Sequence, residues 1–176
     1  YSQLIARRVR AQNVYCEVKP CSISPDEIRK LAPIGIILSG GPQSVYAAVS
    51  LHGEPARFSL GIPVLGICYG CQLMAYSLGG TVAAATEATA REYGKTLTEF
   101  DTDSAIFQGL PTSSVTWMSH GDYISQVPEG FTVTAKTAVC PTAAMACPEK
   151  KLYGVQFHPE VQHTVQGSEI LHRFLY

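Results

Sequence analysis

Nothing in this sequence is apolar for long enough to cross a bilayer, and no secretory leader pattern is visible at its start. A membrane partner is therefore not expected. Basic runs are missing as well: thirteen Lys and Arg stand against fourteen Asp and Glu, a net charge of -1. Neither nucleic acid nor an anionic membrane surface is suggested by that balance. Six cysteines occur, at 16, 21, 68, 71, 140 and 147, but the chain is not small and loop-rich, so they do not read as a disulfide framework. A reduced, cytoplasmic setting is the expectation. Internal repeats, low-complexity tracts and linkers are also lacking, so residues 1–176 are expected to form one domain, large enough to build a core without staples.

What is present is organised around residues 62–80. A short apolar run over residues 64–67 predicts a buried strand, and it stops at Cys68 before a helical pattern with Leu73, Met74 and Leu78 on one face. Cys68 thus falls on a sharp strand-to-helix turn. Gly66 and Gly70 flank it at two residues either side, the spacing of the nucleophile elbow that G-x-S-x-G forms with serine. A thiol on such a turn projects from the carboxyl edge of a sheet, where a helix N-terminus favours its thiolate. Three other readings stay open at this point: a small buried core cysteine, half a zinc site through Cys68-x-x-Cys71, and a redox pair.

Around that centre the pattern predicts an α/β protein. Residues 1–12 form an amphipathic helix with Tyr1, Leu4, Ile5 and Val9 on one face; since such a helix normally follows a strand, an N-terminal strand is expected to be missing ahead of it. Residues 14–18 alternate as a strand. Ser24-Pro-Asp-Glu27 is a capping box that starts a helix ending near Leu31. Residues 34–38 read as a strand broken by the glycine turn Ser39-Gly-Gly-Pro42, residues 43–53 as a loop and 54–60 as a short helix. Beyond Thr81 come strand-like runs at 95–100, 114–118, 123–127, 131–139, 142–146 and 151–157, with a helical piece at 103–108 and a closing helix at 166–176 that turns Ile170, Leu171 and Phe174 inward. Mixed or antiparallel pairing is expected in this second half.

A catalytic thiol needs a base, and the base an orienting group. Of the five histidines, His158 follows a strand in Gly154-Val-Gln-Phe-His-Pro-Glu160, with Glu160 two residues on. In extended chain these two side chains point the same way, which supplies a Cys68-His158-Glu160 set. The bland alternative is a histidine packed at a strand end beside a surface glutamate. His120, near Asp122, is a lesser candidate, on a loop read as a binding wall. His52, His163 and His172 read as solvated or structural. The N–H of Tyr69 and that of Gly41, on the neighbouring glycine turn, are candidate oxyanion donors.

Together, Gly66-Ile-Cys-Tyr-Gly-Cys-Gln72, Gly154-Val-Gln-Phe-His-Pro-Glu160 and Leu38-Ser-Gly-Gly-Pro42 resemble the class I glutamine amidotransferase family. Tyr1-Ser-Gln-Leu-Ile-Ala-Arg-Arg-Val-Arg10, Arg91-Glu-Tyr-Gly94, Trp117-Met-Ser-His-Gly-Asp122 and His158-Pro-Glu-Val-Gln-His-Thr164 are similar to the branch that serves GMP synthesis. The resemblance implies an open, mostly parallel but mixed twisted sheet flanked by helices, flavodoxin-like, with an added antiparallel region in the second half. It implies hydrolysis of glutamine to glutamate and ammonia, with the ammonia passed to an ATP-pyrophosphatase partner domain or subunit that aminates xanthosine monophosphate. Cys68 would be nucleophile, His158 base and acid, Glu160 orienter, and Gly41 and Tyr69 oxyanion donors. Gln72, Gln43, Ser119, Gly121 and Asp122 match positions near bound glutamine. Arg91 and Glu92 suit the partner interface. No cofactor is expected in this domain, and ATP and Mg are expected at the partner's site. The same chemistry feeding anthranilate or carbamoyl phosphate synthesis, or a regulatory subunit without turnover, are the competing readings. Cys71 stands where the family often has methionine.

Overall fold

In the computed structural model, residues 2–18, 25–39, 61–84, 92–120, 122–138 and 140–176 are described. The expected glycine turn beyond Ser39, the loop at 43–53, the helix at 54–60 and the cap residue Ser24 lie outside them.

Among the described residues the centre of the molecule is a seven-stranded sheet. Its first half comprises β1 (Ile36–Leu38), β2 (Val64–Ile67) and β9 (Leu152–Val155), paired in parallel in that order. From β9 onward the pairing is antiparallel, through β8 (Ala144–Cys147) and β7 (Thr132–Lys136) to β4 (Glu92–Phe100) and β5 (Ser113–His120). The mixed sheet is thus parallel at the end that carries Cys68 and antiparallel over the second half of the chain. A separate two-stranded antiparallel sheet joins β3 (Thr81–Ala84) to β6 (Asp122–Gln126).

The period-two alternation of β2 divides the core. Leu65 and Ile67 face one cluster with Val155, Phe157 and the buried residues of α1 (Ser2–Arg10) and α4 (Gly167–Leu175). Val64 faces the other, with Met74 and Cys71 of α3 (Tyr69–Ser77), Val82 of β3, and Ile124 of β6. Each amphipathic helix supplies an apolar stripe: Ile5 and Val9 of the expected face of α1, joined by Ala6, and Ile170 and Leu171 from α4, while Leu4 and Phe174 are half-buried. Full burial of side chains such as Ile170 and Leu171 stabilises the fold by about 1.5–3 kcal/mol each. A second short helix, α2 (Pro25–Leu31), runs where the capping box places it.

On the α3 side the sheet must be bare. A Cβ on Gly66 would sit 2.7 Å from the Gly70 carbonyl oxygen and 2.8 Å from the Cys71 nitrogen, and one on Gly154 would sit 2.6 Å from the Cys71 sulphur. The two glycines on adjacent strands therefore let α3 lie directly on the sheet, with cysteine filling the remaining space at position 71. Gly66→Ala is expected to destabilise the protein by about 1–3 kcal/mol, because the obstructing atoms are backbone and α3 itself must shift. Urea unfolding measures this, and an unchanged midpoint would contradict the packing.

Several sequence expectations are corrected. Residues 14–18 form no strand: Val14 and Cys16 pack on the core while Tyr15 and Val18 are exposed, so the alternation holds only as far as Cys16, and no neighbouring strand among the described residues offers it a ladder. Strand β3 is an addition to the expected set. The helical piece at 103–108 is a three-residue 3-10 turn, Ala105–Phe107. Helix α3 is not amphipathic, for every residue from Gly70 to Ala75 is buried between the two sheets. The loop expected around His120 and Asp122 belongs largely to strands, since β5 runs through His120 and Asp122 opens β6. Among the described residues no helix is long and apolar enough to cross a membrane.

Candidate active site

Cys68 stands between β2 and α3 with φ 55° and ψ -109°, a conformation that costs a non-glycine residue about 1–3 kcal/mol and persists only where its surroundings impose it. They do so on both sides. The Cys68 N–H donates to the Val155 carbonyl at 2.8 Å, extending the parallel ladder, while its own carbonyl accepts from Gln72 N–H at 3.1 Å and starts the helix. The side chain is buried, 5% exposed. Tyr69 is the first residue of α3, so its N–H lies in the turn beside Cys68.

Because β2 and β9 run parallel in register, Ile67 opposite Val155, chain leaving both carboxyl ends emerges at one edge of the sheet. His158 follows β9 there, 3% exposed, and hydrogen-bonds Cys68. Its Nδ1 lies 3.0 Å from Oε2 of Glu160, which is 1% exposed. The other carboxylate oxygen, Oε1, has no hydrogen-bond partner among the described residues. A buried carboxylate in that position depends on its neighbour's charge. Burial of His158 works against its protonation, but hydrogen bonds to Cys68 and Glu160 and the negative charges of both raise its pKa to about 9. These contacts favour the imidazolium form of the ring.

The geometry that joins His158 to Glu160 is not the extended chain expected of them. The chain bends at Gln156 and Phe157, and Pro159 and Glu160 lie in a turn beyond β9; the turn is held from outside. His158 N–H donates to Trp117 O at 2.9 Å, the Thr164 hydroxyl donates to His158 O at 2.6 Å, and that hydroxyl accepts from Trp117 N–H at 2.9 Å. Arg8 Nε, from α1, donates to Glu160 O at 2.9 Å. Since β5 is the fourth strand from β9 in the sheet, its contact with His158 shows that the sheet curls back, around stacked Phe100 and Phe107 and the nearby Phe157.

The other expected residues divide. Gln72 is 4% exposed and its Nε2 donates to Gln156 Oε1 at 3.0 Å. Ser119 lies on β5, opposite Tyr93 and two residues from Trp117, and Asp122 pairs with Ala84. Glu92 pairs with His120 across β4 and β5. Gly41, Gln43, Gly121 and Arg91 lie outside the described residues, as does His52. His163 stacks on Trp117 at 4.8 Å, and His172 bonds Gln12. Cys71 is fully buried, and burial pushes its thiol well above the ordinary range, which suits a packing role over a ligand or redox one. Sequence reasoning assigned no role to Arg8, Thr164 or Gln156. Arg8 and Thr164 both stand in the motifs quoted above, yet their partners lie 152 residues away and on β5 respectively.

A GMP synthase [glutamine-hydrolyzing] of Clostridium botulinum (strain Alaska E43 / Type E3) is 54% identical over all 176 residues, and one of Bacillus pumilus (strain SAFR-032) is 52% identical over the same span. The chain spans about a third of the length of these curated relatives, 34% in each. Among solved structures, one described as a GMP synthase subunit from Thermoplasma acidophilum superposes with a TM-score of 0.88 at 29% identity, covering 99% of this chain and 86% of that one. The sequence matches the family Glutamine amidotransferase class-I over residues 1–176, and the chain belongs to that family.

Proposed function

We propose that this chain is the glutaminase component of a GMP synthase, hydrolysing glutamine through a Cys68 thioester and supplying the ammonia to a partner domain or subunit that aminates xanthosine monophosphate with ATP and Mg. The observation that carries the reading is the buried His158–Glu160 pair hydrogen-bonded to Cys68 at the elbow. The 54% identity over all 176 residues to one part of a GMP synthase supports the choice of acceptor over anthranilate or carbamoyl phosphate synthesis.

In this reading the Cys68 thiolate attacks the carboxamide carbon of glutamine, and the developing oxyanion is met by the N–H groups of Tyr69 and Gly41. Collapse breaks the C–N bond, and the imidazolium of His158 gives its proton to the departing ammonia. The neutral ring then takes a proton from water, which attacks the thioester, releases glutamate and returns the electron pair to sulphur. Glu160 holds the ring through Nδ1 and stabilises its charge in each half-reaction. Gln43, Ser119, Gly121 and Asp122, with Gln72, are the residues that the family resemblance assigns to the substrate. Arg91 and Glu92 are assigned by the resemblance to the partner interface, the site needs no cofactor of its own, and the setting is cytoplasmic.

The test measures glutamate release and GMP formation by the full protein with xanthosine monophosphate and ATP, supplying glutamine or ammonium. Glutamine and ammonium are both expected to support GMP formation, with glutamate released only from glutamine. Glutamate release without GMP from either nitrogen source would point to another acceptor, and no release at all would overturn the reading.

A further inference from the structure

We propose that Gln156 is a further catalytic residue: its side-chain amide donates a hydrogen bond to the Cys68 sulphur, and Gln72 is the positioning residue that orients that amide. The proposal deepens the glutaminase reading and rests on Cys68 being its nucleophile.

Gln156 is fully buried, and its Nε2 lies 3.5 Å from Cys68 Sγ. Its place follows from the ladder. Ile67 is opposite Val155 in the parallel pair, so the next residues, Cys68 and Gln156, are neighbours at the edge where both strands end. The backbone there is fixed twice, by Cys68 N–H on Val155 O and by Gln156 N–H on Ala143 O at 2.7 Å. Gln72 comes from the opposite direction, one helical turn into α3 beyond Cys68. The chain of contacts therefore runs Gln72 Nε2 to Gln156 Oε1 to Gln156 Nε2 to Cys68 Sγ, all of it shielded from water.

The order of atoms in that chain has a chemical sense. With its oxygen engaged by a donor from Gln72, the Gln156 amide can present only N–H to the sulphur, and a thiolate is an acceptor. Reversing the amide would set a carbonyl oxygen against a negatively charged sulphur. A pair kept only for packing would not need to end on the nucleophile, and a buried amide facing a sulphur is an expensive way to fill space between β9 and α3. His158 and Gln156 thus engage one sulphur from two residues of the same segment, one with a charge and one with a dipole. In the cycle the sulphur carries negative charge before attack and again when the C–S bond breaks. The amide meets that charge at both points and holds Sγ in a fixed direction.

The experiment compares the full chain with Gln156→Met, which keeps length and volume but removes the donor. Three quantities are read: the alkylation rate of Cys68 by iodoacetamide at pH 7, located by peptide mass spectrometry; the 240 nm thiolate absorbance lost on Cys68→Ala; and steady-state glutaminase kinetics. Alkylation and kcat are expected to fall about tenfold with KM little changed, and the absorbance to shrink. Gln72→Leu should move all three in the same direction by about threefold, since it frees the orientation and leaves the donor. A folded Gln156→Met protein with unchanged alkylation and absorbance overturns the proposal. Should that variant fail to fold, an unchanged alkylation rate in Gln72→Leu does the same. Alkylation needs no glutamine turnover, so a response in it from protein that never hydrolyses glutamine would leave the hydrogen bond standing and remove the glutaminase reading instead.

Discussion

Cys68→Ala is expected to lower glutamine hydrolysis by at least about 10⁴-fold, while ammonia-dependent GMP formation by the full protein is unchanged. The asymmetry follows from where the sulphur sits. Cys68 is the point at which the ladder of β2, the start of α3, His158 and Gln156 converge, and no other described cysteine shares that environment. Removing Sγ removes the atom that forms the thioester, so the oxyanion donors and substrate contacts are left without a covalent path to assist. Ammonia added from solution enters after that step and does not need it. The backbone contacts that impose the strained turn remain, so circular dichroism should show a native fold. Equal loss of both activities would mean that the substitution acts through structure or that Cys68 is not the nucleophile.

Glu160→Gln carries the second large effect: a fall in kcat of about 10²–10³-fold with the fold retained. The amide occupies the same volume 3.0 Å from Nδ1 but brings no charge to stabilise the imidazolium. His158 should therefore titrate below its value of about 9, since the hydrogen bond and charge of Glu160 are among the contributions that raise it against burial. The effect on stability has a definite sign. The unfolded ring has its ordinary pKa of 6.5 and the folded ring about 9, so protonation favours the folded state. That contribution is complete below 6.5 and is lost as pH rises through 9. The wild-type protein should lose more stability between pH 6 and pH 9.5 than the variant does. The ring resonance of His158 by NMR and urea midpoints at the two pH values measure both halves. A silent Glu160→Gln would mean that another acceptor orients the ring, and the orphaned Oε1 would then need a different explanation.

Local features were legible in the residues alone. Helices α1 and α4, the strand 64–67, the turn at Cys68 and the histidine just beyond a strand end are each written in a few adjacent residues, because periodicity and glycine placement act over one or two turns of chain. The resemblance to the amidotransferase family rested on the same short motifs. Pairing was decided only by the tertiary structure. Alternation at 14–18 says which side chains face inward, and does so correctly for Val14 and Cys16, but it cannot say whether a neighbour exists to bond. Strand β3 escapes a sequence reading because Thr81–Ala84 is short and is defined by its partner β6. The site shows the same division. Cys68, His158 and Glu160 could be named from their motifs, whereas Gln156 gained a role from the parallel register that sets it beside Cys68, and Thr164 and Arg8 from a sheet that curls until β5 and α1 reach the His158 turn. Register and curl are properties of many residues packed at once, and no window of sequence contains them.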